Sequence, residues 1–437
     1  MTQESRSAPP QLLRAIGRWS MVALAVNSIL GSGIFGLPSI VAGLLGRASP
    51  LAMLLAGAGM GTIIACYAEV ASQFTATGGT YLYLRHAFGR LVGLQVGWMT
   101  LLARLTACAA GVNLLVAYLA EFWPAAAQPV PRLAVITLFI GGLATINYRG
   151  VGAGTLMSNV AVAAKLLALG VLCVAGLGWL AVHPQLAAPH VAAGLDGWLA
   201  ALLPLSFAYG GFEAALNPMG EARNPQRDAA FALLIALIVL AVLYSVLQLI
   251  VVGVLVDPAH SERPLADAAR VIMGQPGAAL IAVGALISIY GYLSANLLTV
   301  PRSIFALAER GDFPAWLAAV HQRWRTPYVS IVVFAVLLWI FSQFASFSWN
   351  VTLSVVARIL YYGGVCAAVP VLRRRQPGAA AFRLPGGLIV PGAGLALCAL
   401  LLTRIDFSNS LILLATVAIG LLNWLLVRAR AAGTAGA

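Results

Sequence analysis

The feature that most constrains this chain is a series of long apolar stretches, twelve in our division, each close to the length that crosses a bilayer. A hydrocarbon core of about 30 Å needs roughly 20 apolar residues in a helix. Hydrophobic residues make up 61% of the chain and charged ones only 9%, too few to cover a water-soluble globule. The sequence therefore predicts an all-α membrane protein with twelve transmembrane helices. We place these spans at residues 19–44, 50–72, 92–120, 131–147, 154–181, 196–222, 229–256, 276–304, 327–345, 349–371, 388–403 and 408–427.

The arginines are distributed unevenly among the loops between these spans. If the N-terminus is cytoplasmic, the loops on that side hold most of them, including the run 373–375, as the positive-inside rule requires. We therefore expect a multi-pass protein of the cytoplasmic (inner) cell membrane with both termini in the cytoplasm. The net charge of +13 is not gathered into a basic stripe, so no nucleic-acid partner is expected.

Two predicted spans contain sequence that interrupts a helix. Span 1 carries Gly31 and Gly33 near its middle, and span 6 carries Gly210 and Gly211. Backbone groups left unpaired by such breaks cost several kcal/mol in hydrocarbon unless they line an enclosed cavity and meet a ligand. The commoner role of small residues in membrane helices is close packing, which we assign to glycines such as Gly57.

The position of the two interruptions favours a binding site over close packing. They fall in the first helix of two successive sets of five, and the second set is inverted because five helices end on the opposite side of the membrane. Open amides at the midplane bind an anion and open carbonyls a cation, so a zwitterion such as an amino acid satisfies both. The predicted groups are the amides of Ser32, Gly33 and Ile34 and the carbonyls of Ile29, Phe207 and Gly210.

This interpretation divides the chain into two repeats with additions. The predicted parts are a cytoplasmic N-terminal tail at 1–18, the first five-helix repeat at 19–181, the inverted second repeat at 196–371, helices 11 and 12 at 388–427, and a cytoplasmic C-terminal tail at 428–437.

Several segments resemble, in order along the chain, the amino acid, polyamine and organocation (APC) superfamily of transporters, which have the LeuT-type five-plus-five fold. The segments are GSGIF at 31–35, YAEVASQFTATGGTYLYLRHAFG at 67–89, YGGFE at 209–213, GEARNPQR at 220–227, PRSIFALAERGDFPAWLAAV at 301–320 and LRRRQP at 372–377.

The resemblance implies how a substrate is held. Its carboxylate would meet the backbone at Ser32 and Gly33, and its ammonium group the carbonyls named above. Phe207 matches an aromatic position that occludes the substrate, whereas Asn296 on span 8 stands where some members carry a bulkier aromatic residue. Tyr209, at the span 6 interruption, completes this set.

Lys165, near the middle of span 5, is the only lysine in the chain. A desolvated lysine can release its proton near neutral pH whereas arginine cannot, which favours a role in coupling. The resemblance is to members in which a lysine on this helix replaces a sodium ion, against helices 1 and 8. The alternative is a snorkelling or packing lysine, which a mid-membrane position disfavours.

Arg104 in span 3 and Arg358 in span 10 also lie within the membrane, where family members often have small or neutral residues. Two interpretations stay open. The arginines recognise a second carboxylate on the substrate, or they form structural ion pairs with Glu213 and Glu69. Glu213 follows the span 6 interruption and is the preferred partner, and we also include it with Lys165 among the predicted coupling residues.

Other polar and aromatic residues carry weaker predictions. Tyr361 and Tyr362 fit an interfacial aromatic belt better than a stacking site. The turn at 309–312 holds charges that either pair across a closed inner gate or are solvated. The five cysteines show no spacing for disulfides or zinc, and we expect no cofactor and no metal site.

The predicted function is secondary active transport of an amino acid or related organic amine by alternating access, as a proton symporter or an exchanging antiporter. The expected partners are this small molecule, the lipid bilayer and protons. One alternative is a nutrient sensor or channel on the same fold. A membrane-embedded enzyme is disfavoured because HExxH and GxSxG motifs and paired carboxylates are absent from the spans.

Overall fold

The computed structural model describes residues 17–74, 78–150, 155–216 and 222–434, and fourteen α-helices account for most of them. Several long helices are separated by turns of only a few residues, as expected when each helix crosses a membrane and the next returns. The helices are α1 Arg18–Ile29, α2 Gly33–Leu45, α3 Ser49–Ala71, α4 Gly79–Phe88, α5 Arg90–Leu119, α6 Pro129–Tyr148, α7 Thr155–Val182, α8 Leu195–Ala208, α9 Pro225–Val254, α10 Pro264–Glu309, α11 Tyr328–Phe344, α12 Phe347–Arg375, α13 Ile389–Leu402 and α14 Phe407–Thr434.

Nine helical segments within these described ranges are long and apolar enough to span a membrane. Two shorter apolar helices, α11 and α13, accompany them. The chain is therefore a multi-pass membrane protein, and the part of it that the structure describes is built from helices and the turns between them. The nine segments are Gly33–Ala71, Arg90–Leu119, Pro129–Tyr148, Ala163–Val182, Leu195–Leu216, Pro225–Val254, Pro264–Glu309, Phe347–Arg375 and Phe407–Arg428.

Burial separates a central helix from peripheral ones. In α5, 78% of its apolar 18-residue stretch is buried inside the protein, against 17% of the corresponding stretch in α6. Since lipid-facing helices leave large apolar side chains uncovered, α6 lies at the periphery and α5 at the centre. Helices α10 and α12 both pack along α5, so the three together form the wall that faces the interrupted helices.

Both predicted interruptions are present. Helix α1 ends at Ile29 and α2 begins at Gly33, while α8 ends at Ala208 and is followed by a turn and a 3₁₀ helix over Phe212–Leu216. The remainder of predicted span 6, residues 217–221, and the first two residues of the GEARNPQR segment lie outside the described part of the chain. So do residues 75–77 of the segment that starts at 67 and most of the N-terminal tail.

Two structural features differ from the sequence-based division. The window predicted for span 8 belongs to a longer helix, α10, whose first part precedes a kink at Gly274, where φ is +71°. Helix α4 lies between predicted spans 2 and 3 and was not predicted as an element. Its sequence mixes polar and apolar residues, so it carries no membrane-span signal.

Candidate functional site

The two helix breaks touch each other. Gly211, in the turn after α8, has a φ of +97°, a left-handed conformation that favours glycine. A side chain at this position would place its Cβ 2.6 Å from the carbonyl oxygen of Ser28, near the end of α1. Glycine is therefore required twice at this position, for its backbone conformation and for the close approach of the two breaks.

A cavity lies where the breaks meet α5, α10 and α12. Its free volume is about 20 Å³, space for about one water molecule, so an organic ligand requires lining groups to move. Backbone from both breaks and three long polar side chains share the wall. The lining residues are Ser28, Ile29, Gly31, Ser32, Gly33, Arg104, Phe207, Gly210, Gly211, Tyr292 and Arg358.

The start of α2 presents open amides at this cavity. The N–H groups of Ser32, Gly33 and Ile34 have no acceptor among the residues that the structure describes. They form the amino-terminal end of a helix, where the backbone dipole favours negative charge. Ser32 and Gly33 line the cavity, so a carboxylate bound there would satisfy their two donors and stabilise the helix end.

The predicted carbonyl groups differ in how much acceptor capacity they retain. The carbonyl of Ile29 already accepts the N–H of Gly31 at 2.7 Å and the hydroxyl of Tyr244 at 3.3 Å. The carbonyl of Phe207 accepts one N–H, that of Gly210, at 3.1 Å. Because a carbonyl oxygen has two lone pairs, Phe207 has room for another donor in this conformation and Ile29 does not.

Lys165 is bound to the first break. Its side chain is buried, and its ammonium group donates to the carbonyls of Leu30 at 2.7 Å and Asn27 at 3.3 Å. These carbonyls belong to the last turn of α1 and to the residue that caps it, where the helix dipole favours a cation. The lysine thus replaces backbone donors that the interruption of the helix removes.

Glu213 organises the polar network beside the second break. Its carboxylate lies 3.5 Å from the guanidinium of Arg104 and accepts hydrogen bonds from the hydroxyls of Tyr361 at 3.4 Å and Tyr362 at 3.1 Å. It also accepts the N–H of Gly211 at 3.1 Å. One buried carboxylate therefore neutralises Arg104 and closes the turn after α8.

Two predictions about polar side chains are wrong. Tyr361 and Tyr362 do not belong to an interfacial belt, because both are buried against Glu213. Glu69 does not pair with an arginine of the cavity, because the side chain of Arg373 binds both of its oxygens, at 2.6 and 2.7 Å. Tertiary contacts between distant helices decided both outcomes.

Arg358 differs from Arg104 in having no ion pair. Its side chain is 3% exposed, its guanidinium carbon lies 5.6 Å from the ring centre of Phe207, and no carboxylate among the described residues approaches within 4.0 Å. A cation over an aromatic face gains some stabilisation, but less than a carboxylate partner supplies.

The structure brings together most of the predicted substrate-site residues but not all of them. Ile34, Tyr209 and Asn296 do not line the cavity. The hydroxyl of Tyr209 donates to the carbonyl of Met53 at 2.7 Å, and the amide of Asn296 donates to the carbonyl of Tyr292 at 2.8 Å. The predicted residues on the wall are Ile29, Ser32, Gly33, Arg104, Phe207, Gly210 and Arg358.

Four wall residues were absent from the prediction: Ser28, Gly31, Gly211 and Tyr292. The three on the interrupted segments adjoin predicted residues. Tyr292 precedes Asn296 by one helical turn, so the prediction identified the correct face of α10 but a residue one turn away from the one that lines the cavity. The i to i+4 spacing was the signal that identifies Tyr292.

Comparison with known proteins identifies the family. The model of the family described as amino acid permease matches residues 16–419, almost the whole chain. The chain belongs to the amino acid permease family. This confirms the resemblance to APC superfamily transporters, and the permease is a transporter homologue with a small-molecule substrate.

Named relatives of this permease handle different molecules. The methylthioribose transporter of Bacillus subtilis is 28% identical, over 91% of this chain and 89% of the relative. A branched-chain amino acid permease of the same organism is 25% identical over 96% and 94%, and its serine/threonine exchanger is 28% identical over 84% and 85%. The substrates in the names of these relatives thus range from amino acids to methylthioribose.

Proposed function

We propose that this permease moves an amino acid or a related organic molecule across the cytoplasmic membrane by alternating access, with the substrate bound at the two helix breaks. The observation that carries the proposal is the pair of open amides at Ser32 and Gly33, two residues that line a buried cavity. Open backbone donors at membrane depth are costly unless a ligand satisfies them. The names of the relatives support transport, and one names an exchange.

The architecture that we propose has twelve spans, ten of them in two inverted sets of five. The first repeat comprises 19–181 and the second 196–371, followed by two helices in 388–427. Helices α1 and α8, each of which ends at a break, would then occupy equivalent positions at the start of the two repeats. In this arrangement both chain ends lie in the cytoplasm.

The proposed binding mode places the substrate carboxylate on the α2 amides. An ammonium group would take the remaining lone pair of Phe207 and the carbonyl of Gly210, which has no donor among the described residues. The ring of Phe207 would cover the bound molecule. Tyr209 and Asn296 act from behind the wall. The hydroxyl of Tyr209 donates to the carbonyl of Met53 on α3, and the side-chain amide of Asn296 donates to the carbonyl of Tyr292, one turn earlier in α10.

Coupling is proposed to involve Lys165 and Glu213. Lys165 holds the end of α1 through two carbonyl groups, so release of its proton would loosen the first break. Proton symport uses this step in every cycle, whereas exchange of one substrate for another leaves the lysine charged. Uptake into proteoliposomes with and without a pH gradient, and with and without internal substrate, separates the two.

The test of the site is a bulky substitution at Gly33. A Cβ there would lie 3.2 Å from the ring of Phe207 and 3.3 Å from the Cα of Ala208, so Gly33→Val fills the space over the amides. We expect loss of ligand-induced thermal stabilisation and at least a tenfold fall in uptake across a panel of amino acids and methylthioribose.

The matched control is Gly141→Val on α6, where a Cβ meets no atom within 4 Å. This variant should bind and transport like the wild type. Normal transport by Gly33→Val would refute the site. Saturable binding without accumulation by the wild type would refute transport and favour a sensor, and flux that does not saturate would favour a channel.

A further inference from the structure

The buried guanidinium of Arg358 has unused hydrogen-bond donors. Its Nε and Nη1 atoms are buried and have no partner among the residues that the structure describes, and the side chain lines the cavity. Gly210 makes room for it, because a Cβ at position 210 would collide with the Nη1 atom. Buried polar groups in native proteins are normally paired, so an unpaired buried arginine indicates a missing partner.

The charges around the cavity show what the partner must be. Two guanidinium groups, those of Arg104 and Arg358, line the cavity, and the nearby carboxylate of Glu213 is already held by Arg104 and two tyrosine hydroxyls. The Lys165 ammonium group is bound to carbonyls of the first break and cannot offset the positive charge of the two arginines. The walls therefore carry an excess of at least one positive charge, which a zwitterionic substrate leaves uncompensated.

We propose that the natural substrate carries a net negative charge, as an acidic amino acid does, and that its additional carboxylate accepts hydrogen bonds from the unpaired donors of Arg358. The inference rests on the proposed function, in which the first carboxylate binds the α2 amides. Arginine suits this role because its guanidinium stays charged and forms charge-assisted hydrogen bonds with a carboxylate. Arg104 is a positioning residue here, because its guanidinium forms an ion pair with Glu213.

The test compares isosteric ligands that differ only in charge. Wild-type protein in proteoliposomes is assayed for competition and uptake with L-glutamate against L-glutamine, and with L-aspartate against L-asparagine. We expect each acid to bind at least tenfold more tightly than its amide. Thermal stabilisation of detergent-solubilised protein by the same four compounds gives an independent readout.

Variants then assign the preference to one side chain. Arg358→Gln should remove the preference for the acids, lowering their affinity at least tenfold while the amides change little. Arg302→Gln, near the end of α10 and outside the cavity wall, removes a positive charge elsewhere and should keep the wild-type preference. If Arg358→Gln does not fold, the wild-type comparison of acids and amides still decides the matter.

The outcomes separate this inference from the proposed function. Equal or better binding of the amides by the wild type, or transport restricted to neutral compounds, overturns the anionic substrate and leaves transport intact. An acid preference that survives in Arg358→Gln overturns the role of that residue. Binding of none of the four compounds overturns the anionic substrate, and only failure of the wider panel of amino acids and methylthioribose to bind contradicts the proposed function as well.

Discussion

At the scale of single residues, Lys165 shows how one side chain replaces a piece of secondary structure. An interrupted helix leaves carbonyl groups without backbone donors, and the ammonium group supplies donors to two of them. Arginine provides equivalent hydrogen bonds but a permanent charge, and because every other residue of the Lys and Arg set is arginine, the single lysine is informative. Its placement against the end of α1 is consistent with the resemblance that predicted a cation there.

We predict that Lys165→Ala impairs transport more than it impairs folding. Two carbonyl groups lose their donor, and each unsatisfied buried group costs about 1–3 kcal/mol of folding free energy. Helix α1 also loses its hydrogen bonds to α7. Initial uptake rates should fall at least tenfold, with a decrease of only a few degrees in the midpoint of thermal unfolding. Leu167→Ala, on the same helix at a 66% exposed position, is the control and should change neither quantity. An unchanged uptake rate would exclude a coupling role.

At the scale of elements, α5 carries an ionic cluster at each end. Near its first residue, Arg90 lies 2.7 Å from Asp312, which also binds Arg85 at 3.1 Å. The turn at 309–312 was predicted either to pair or to be solvated, and Asp312, which is buried, pairs. Because α5 is 30 residues long, its two clusters are separated by about 45 Å, enough to lie on opposite sides of the membrane.

The second cluster lies just beyond the last residue of α5. Glu121 binds Arg270 at 2.5 Å and Arg263 at 3.3 Å, and both arginines border or begin α10. Burial alone would raise the pKa of Glu121, but the hydrogen bonds and charge of Arg270 outweigh it and hold the pKa below its ordinary value. A carboxyl whose folded pKa is depressed stabilises the fold above its unfolded pKa, and this contribution is lost only as the pH falls through the folded value. The cluster is therefore intact at neutral pH.

We predict that the two clusters bias access to the cavity in opposite directions. In a background without native cysteines, Ser32→Cys reports access through its reaction with a membrane-impermeant thiol reagent. Adding Asp312→Asn should raise labelling at least threefold from the side of α5 where Arg90 lies, because the elements joined there separate more easily.

Glu121→Gln is the matched variant for the other end and should raise labelling from the opposite side. Labelling that increases from the same side in both variants, or in neither, would show that these ion pairs hold the fold and do not gate the cavity.

At the scale of the whole molecule, the fold follows from the properties of hydrocarbon. No water is available in lipid to satisfy backbone groups, so the chain forms helices wherever it crosses and opens them only beside an enclosed space. The uneven distribution of arginine then sets the proposed orientation, since basic loops stay in the cytoplasm. An even number of spans places both termini on the same side.

We predict that epitope tags at the two ends share one compartment. In intact cells both tags should be inaccessible to antibody and protease, and both should become accessible after the membrane is permeabilised. A tag inserted at Arg47, in the loop between predicted spans 1 and 2, serves as the control that is accessible throughout, because this loop faces outward if the N-terminus is cytoplasmic. Tags on opposite sides would mean an odd number of spans and would refute the proposed arrangement.

Local properties were enough to predict the membrane class, most of the long helices and the two interruptions from the sequence: apolar length for the helices, and glycine where a helix must open. The sequence also identified Lys165, Arg104 and Arg358 as charged residues within membrane spans, where a charge indicates a specific partner or function. The tertiary structure decided which charges meet. Glu213 pairs with Arg104, Arg373 takes Glu69, and Arg358 is left without a carboxylate among the described residues. These partners are separated by many residues in the chain, and only helix packing fixes the distances of a few ångströms on which an ion pair depends.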